Sequence, residues 1–243
     1  MRVALLSDIH GNHMALDAVL YQVENERPDM ILVLGDVATI GPEPRAVLER
    51  LRSLNARFIM GNHDRVLLDP TQKKAMRIAP ILYPDVEWCR GLISRKDLAF
   101  INTFEERIDI PLEGNDRLLA YHGSPRSEVE NIYPTSDDQQ LADLLPDDAT
   151  RVYCGGHTHI QMVRNYKGKW LVNPGSVGQP FHHTPMNGEA PLLLPHAEWA
   201  LLEWRAGHPE IRLIRTSYDT AAYRRILQES ELPIREWLLL QYK

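Results

Sequence analysis

The sequence predicts an α/β fold with parallel strands at its core, on three observations. Short apolar runs stop abruptly at polar residues, helical patterns lie between the first of these runs, and later runs pair off around Gly-containing turns. Arg2–Leu6 reads as a buried strand stopped by Ser7-Asp8. Asn12 then caps a helix to residue 26, with Met14, Ala15, Ala18, Val19 and Val23 at helical spacing. Residues 30–34 form a second buried strand ended by Gly35-Asp36. Residues 44–54 form a second helix, and residues 57–60 a third strand ended by Gly61-Asn62. Strands and helices alternating at this spacing imply crossovers, and hence parallel pairing.

Residues 66–105 read mainly as helix, with Trp88, Cys89, Leu92 and Ile93 as a buried stripe. Residues 107–112 and 117–123 then form a hairpin about Glu113-Gly114-Asn115-Asp116. A helix follows over 136–145, and short strands over 151–156, 160–166 and 169–173, the last two joined at Lys167-Gly168. Residues 197–204 and 210–218 close a hairpin about Ala206-Gly207, with helices over 219–229 and 234–240. The proline-rich stretch 180–195 reads as a long loop. With no repeat and no linker, a single domain over 1–243 is expected.

Composition narrows the classes. The 243 residues carry 27 Lys+Arg and 33 Asp+Glu, a net charge of −6, with 44% hydrophobic and 25% charged residues. That balance excludes a largely disordered chain. No run approaches the ~18 apolar residues of a membrane span. The acidic balance argues against stable nucleic-acid binding, which needs clustered positive charge. Two cysteines, Cys89 and Cys154, give no disulfide framework and suit a reducing, cytoplasmic setting.

The residues that end the strands carry the chemistry: Asp8-Ile9-His10, Gly35-Asp36, Gly61-Asn62-His63-Asp64, His122-Gly123 and Gly156-His157-Thr158-His159. Ligands gather at the carboxyl ends of strands in α/β sheets. Mixed Asp, Asn and His donors suit divalent transition metals better than a carboxylate cage for Mg²⁺ or Ca²⁺. The absence of Cys from these motifs argues against a structural zinc cluster.

In this order the five motifs resemble the calcineurin-like metallophosphoesterase superfamily, and most of all its small prokaryotic phosphodiesterase branch. The resemblance runs from Asp8 to the Asn173-Pro174-Gly175-Ser176 turn and the final hairpin. It implies a four-layer α/β/β/α sandwich of two mixed β-sheets flanked by helices. It also implies two divalent metal ions. The position matching Asp36 bridges them, Asp8, His10 and His159 complete one site, and Asn62, His122 and His157 the other. Manganese, iron, zinc and nickel all tolerate such a set, and manganese is the expectation. His63 matches the position that stabilises the transition state and protonates the leaving oxygen. Two adjacent cations clamp the attacking and leaving oxygens and make hydroxide available near neutral pH.

One departure matters. The phosphoprotein-phosphatase branch has Asp three residues after the bridging Asp, followed by Arg; here those positions are Thr39 and Ile40. The usual acid behind the catalytic His is missing, leaving Asp64 or solvent to substitute, and the missing pair counts against a protein phosphatase. Plainer roles fall to other polar residues: Asn12 as helix cap or phosphate contact, His182 and His183 as solvated loop residues, and residues 173–176 as a turn beside the site. Trp199 and Trp204 belong in the core.

The expected function is hydrolysis of a phosphodiester in a small or nucleotide-like substrate by attack of a metal-bridging hydroxide. A phosphomonoesterase ranks second. A non-catalytic scaffold ranks third, as a retromer subunit of similar fold acts as one; a scaffold has no need for His63 and all seven ligand positions. Specificity is expected from residues 65–105 and 180–195.

Overall fold

The computed structural model describes residues 1–146, 148–185 and 189–242, so part of the predicted long loop lies outside the described residues. The first unit comprises β1 (Arg2–Leu6), α1 (His13–Glu26), β2 (Met30–Val33), α2 (Pro44–Arg52) and β3 (Arg57–Phe58). Next come α3 (Asn62–Leu68), α4 (Tyr83–Leu92), α5 (Arg95–Ile101), β4 (Ile108–Pro111), β5 (Arg117–Ala120) and α6 (Asp138–Leu144). The chain continues through β6 (Thr150–Cys154), β7 (Met162–Tyr166), β8 (Lys169–Asn173), β9 (Ala197–Arg205), β10 (His208–Thr216), α7 (Thr220–Glu229) and α8 (Arg235–Leu239).

Two mixed five-stranded sheets form, ordered β10-β9-β1-β2-β3 and β4-β5-β6-β8-β7. β1, β2 and β3 run parallel in the first sheet, and β5, β6 and β8 in the second; antiparallel β9–β10, β4 and β7 flank them. The period of two along β1 builds the layers. Val3 and Leu5 face the other sheet and share a cluster with its Leu118, Val152 and Val172, and with Trp204 of their own sheet. Ala4 and Leu6 face outward against Leu16, Val19 and Leu48 of α1 and α2. On the far side, Leu119, Tyr153 and Leu171 pack on Leu141 of α6. The result is the expected four-layer sandwich.

Some boundaries move for local reasons. The expected strand over 57–60 is two residues long: Ile59 N still donates to Val33 O of β2 at 2.8 Å, but Ile59 bridges Glu105 on its other side and Met60 N donates to Glu105 O. The expected helical stretch 66–105 breaks at Pro70 and Pro80, each opening a 3₁₀ turn. Its predicted stripe is buried at Cys89 and Ile93, whereas Trp88 and Leu92 are half-buried. Trp199 and Trp204 lie in the core as expected, and so does Cys154. Asn12 caps α1, its side chain accepting from Ala15 N at 3.0 Å.

The loop after β2 carries strain. Ile40, β-branched, sits at φ 65°, where L residues are disfavoured. Two side chains hold its backbone: Asp85 Oδ2 accepts from its N–H at 2.9 Å, and Gln179 Nε2 donates to its carbonyl at 2.7 Å. Burial lifts the Asp85 carboxyl to about 7, opposed only by that hydrogen bond. Because the folded pKa exceeds the unfolded value of ~3.9, this stability contribution is complete below pH 4 and lost as pH rises through 7. Urea midpoints of the wild type should therefore fall between pH 5 and 8 more than those of Asp85→Asn. Parallel pH profiles for the two proteins would contradict this origin.

Candidate metal centre

The parallel strands of both sheets deliver their ends to one rim. Beyond β1 the loop keeps pairing with the loop beyond β2, through Asp8 N to Gly35 O at 3.0 Å and His10 N to Asp36 O at 3.1 Å. The second sheet is tied to the first where His157 N donates to Asp8 Oδ2 at 3.0 Å, and its own strand ends stay paired through Gly156 N to His122 O at 2.8 Å. Close approach needs glycine here: a Cβ on Gly61 would lie 2.1 Å from Asp36 Oδ1, and one on Gly156 1.9 Å from Ser7 Oγ. Five residues at this rim are left-handed: Asp8 (φ 53°), His10 (47°), Asp36 (56°), His157 (67°) and His159 (56°). Strain held at one place by surrounding structure is a mark of a functional site.

All seven expected ligand residues meet at this rim, in two groups. The donor atoms of Asp8, His10 and His159 lie within 4.8 Å of one another, as do those of Asp36, His122 and His157. In the first, His10 Nε2 is 3.1 Å from His159 Nε2, and His159 Nε2 is 3.3 Å from Asp8 Oδ1. In the second, His122 Nε2 is 3.3 Å from Asp36 Oδ2 and 3.1 Å from Asn62 Oδ1. The Asn62 amide nitrogen donates away, to Met76 O, which leaves its carbonyl oxygen for the cluster.

The tautomers suit metal binding. The Nδ1–H groups of His10, His122 and His159 donate to the carbonyls of Thr39, Leu34 and Gln179 at 3.2, 2.6 and 2.7 Å. Each ring thus aims Nε2 at its cluster, the arrangement that orients histidine ligands. Asp8 Oδ1 is buried with no hydrogen-bond partner among the described residues. A cation at each cluster would satisfy these facing acceptors, so the donor set fits two divalent ions.

The electrostatics point the same way. Burial holds His10 and His157 down at about 3, so both are neutral at physiological pH. Burial also opposes protonation of His122, but Asp36 beside it, with Asp8 and the Leu34 carbonyl, lifts it to about 10. For Asp8, burial is outweighed by His159 and His122, which hold the carboxyl at about 2. The cluster retains a proton where it lacks a cation.

His63 lies beside the clusters and lines the same cavity. Its N–H donates to Asp36 Oδ1 at 2.8 Å, and its Nδ1 is 2.9 Å from Thr39 Oγ1. Thr39 therefore occupies the orienting place that the sequence left to Asp64 or solvent. Asp64 faces the other way and accepts from the backbone N–H groups of Asp36, Val37 and Gly61 at 2.8–3.0 Å. It pins the turn that presents Asp36. Residues 173–176 also brace rather than react: Asn173 Nδ2 donates to Gly156 O, and Ser176 Oγ to Asp8 O. His182 and His183 are exposed and do not line the cavity.

Protons must leave when ions enter, since histidine binds metal only when neutral. Calorimetric titration of metal-free protein with Mn²⁺ near pH 7 should release about one proton or more per chain, from His122 first, and affinity should rise with pH. Asp64→Ala, which strands buried amide donors, should cost about 2–5 kcal/mol in unfolding experiments. Metal uptake with no proton release and no pH dependence would contradict the description of His122.

Residues 1–190 match the model of the calcineurin-like phosphoesterase superfamily domain. The chain is 27% identical to an uncharacterized protein of Methanocaldococcus jannaschii, over 97% of this chain and 95% of that one. It is 24% identical to a symmetrical bis(5'-nucleosyl)-tetraphosphatase of Legionella pneumophila, over 87% of each. A metallophosphoesterase from Sphaerobacter thermophilus superposes with a TM-score of 0.72 at 27% identity, over 99% of this chain and 98% of that one. With the sandwich and its rim of Asp, Asn and His in place, the chain belongs to the calcineurin-like phosphoesterase superfamily.

Proposed function

We propose that the chain, acting as one domain over 1–243, is a dimetal phosphodiesterase that hydrolyses a small or nucleotide-like diester. The observation that carries this reading is the coincidence of two donor clusters with His63 on one cavity. Two divalent ions, manganese by expectation, would polarise the phosphoryl oxygens and make hydroxide available near neutral pH. Asp8, His10 and His159 would hold one ion, and Asn62, His122 and His157 the other. Asp36 would hold both, since its carboxylate feels both His122 of one group and His10 of the other.

The chain's own chemistry centres on His63. With Nδ1 held by Thr39, Nε2 is the nitrogen left to meet a leaving oxygen in the cavity. Proton donation there converts a poor alkoxide leaving group into an alcohol. Thr39 is neutral and fixes the ring's orientation without the charge of an acid. The two free, buried cysteines suit a reducing compartment such as the cytoplasm.

His63→Ala should keep the metals and lose ~10²–10⁴ in turnover on diesters with alkoxide leaving groups, and much less with nitrophenolate. Thr39→Val should lose ~10–100-fold with the same leaving-group bias, and Thr39→Ser should restore most of it. Wild type should turn over diesters faster than the matching monoesters. Faster monoester turnover would favour a phosphomonoesterase, and no turnover with Mn, Fe, Zn or Ni a scaffold.

A further inference from the structure

The donors and His63 form only part of the cavity wall. The cavity holds about 550 Å³, within the ~300–1,000 Å³ of sites that enclose a whole small ligand. Beyond the donors and His63 the lining is mostly apolar, with Ile81, Leu82, Phe181, Pro191 and Trp237, and carries two charged residues, Arg77 and Glu189. These come from three separate segments. Leu82 and Trp237 share a hydrophobic cluster in which Ile78, Ile234 and Leu238 are buried. Ile81 stands out from it at 50% exposure, and Trp237 is only half-buried. That cluster is already filled by its buried members, so the apolar surface left over lines the cavity. Phe181 joins this wall to the donors, its ring 4.3 Å from that of His159. Arg77 lies in the same lining, its Nη1 donating to Val129 O at 3.0 Å.

We infer that this wall is a seat for a flat, apolar ring on the substrate, an aryl group or nucleobase, with Trp237 and Ile81 as its specificity-determining residues. The inference rests on the phosphodiester reading and deepens it. An aromatic face gains from stacking on another ring whatever its hydrogen-bonding edges. A sugar or glycerol ester would bring hydroxyls against Ile81, Leu82, Phe181 and Pro191, none of whose side chains can hydrogen-bond to them. Trp237 lies on α8, beyond the residues 1–190 that match the family model. The C-terminal segment thus contributes Trp237 to a wall otherwise built from Ile81, Leu82, Phe181 and Pro191.

Binding tests the seat independently of turnover. Calorimetry on Mn²⁺-loaded protein should compare adenosine 5'-phosphate with ribose 5-phosphate, and phenyl phosphate with methyl phosphate. The ring-bearing member of at least one pair should bind about 5- to 150-fold tighter, the range expected of one stacked ring. Preference in the first pair alone marks a nucleobase seat, and in the second alone a small aryl seat. Trp237→Ala should remove most of the preference; Ile81→Ala, at a half-exposed position that folding tolerates, should reduce it. Equal affinities within both pairs, no binding of any of the four, or an undiminished preference in both folded variants would overturn the seat. If the ring preference holds while no diester is hydrolysed, the catalytic reading fails and the seat stands. Diester hydrolysis without ring preference gives the reverse.

Discussion

The structure turns on keeping two buried carboxylates and a ring of imidazole nitrogens pointed at one another. Asp8 and Asp36 are fully buried, and the imidazole nitrogens facing them belong to residues on three different loops, those after β1, β5 and β6. Water does not screen such a cluster, so its acceptors repel unless positive charge lies among them. The left-handed backbone at Asp8, His10, Asp36, His157 and His159 adds about 1 kcal/mol or more at each position. Asp and His tolerate that conformation better than most residues, which suits these residue types to the turns as well as to the ligation.

The sandwich offsets this cost. Two sheets bury Val3, Leu5, Leu32, Leu118, Val152 and Trp204 between them, while helices cover the outer faces. Parallel pairing brings the ends of β1, β2 and β3 level, and the second sheet does the same for β5 and β6. Side chains then lock the loops: Asp64 under the Asp36 turn, Asp85 and Gln179 on Ile40, Ser176 on Asp8. Orientation is thereby fixed before any ion or substrate arrives, as electrostatic catalysis requires.

The local parts of this arrangement were legible in the sequence. Apolar runs ended by Asp, Gly-Asp, Gly-Asn-His and His-Gly marked the strands and the donors together. What was not legible is non-local. The sequence shows Thr39 at the place of the expected acid, but Thr39 and His63 are 24 residues apart, and nothing in either segment announces that the Thr39 hydroxyl itself meets His63 Nδ1. Asp64 read as a substitute for the missing acid behind His63, yet it accepts from three backbone donors on two loops brought together only by folding. Asp85 lay inside a stretch read simply as helix. The apolar wall was legible only in part: Ile81 and Phe181 fall in the segments 65–105 and 180–195 expected to set specificity, whereas Trp237 reads as an ordinary residue of the last helix.

Anomalous diffraction from crystals grown with Mn²⁺ tests the central claim most directly. Two manganese peaks per chain are predicted at the rim, one against Asp8, His10 and His159 and one against Asn62, His122 and His157, with Asp36 touching both. A single peak, or ions bound away from these residues, would contradict it.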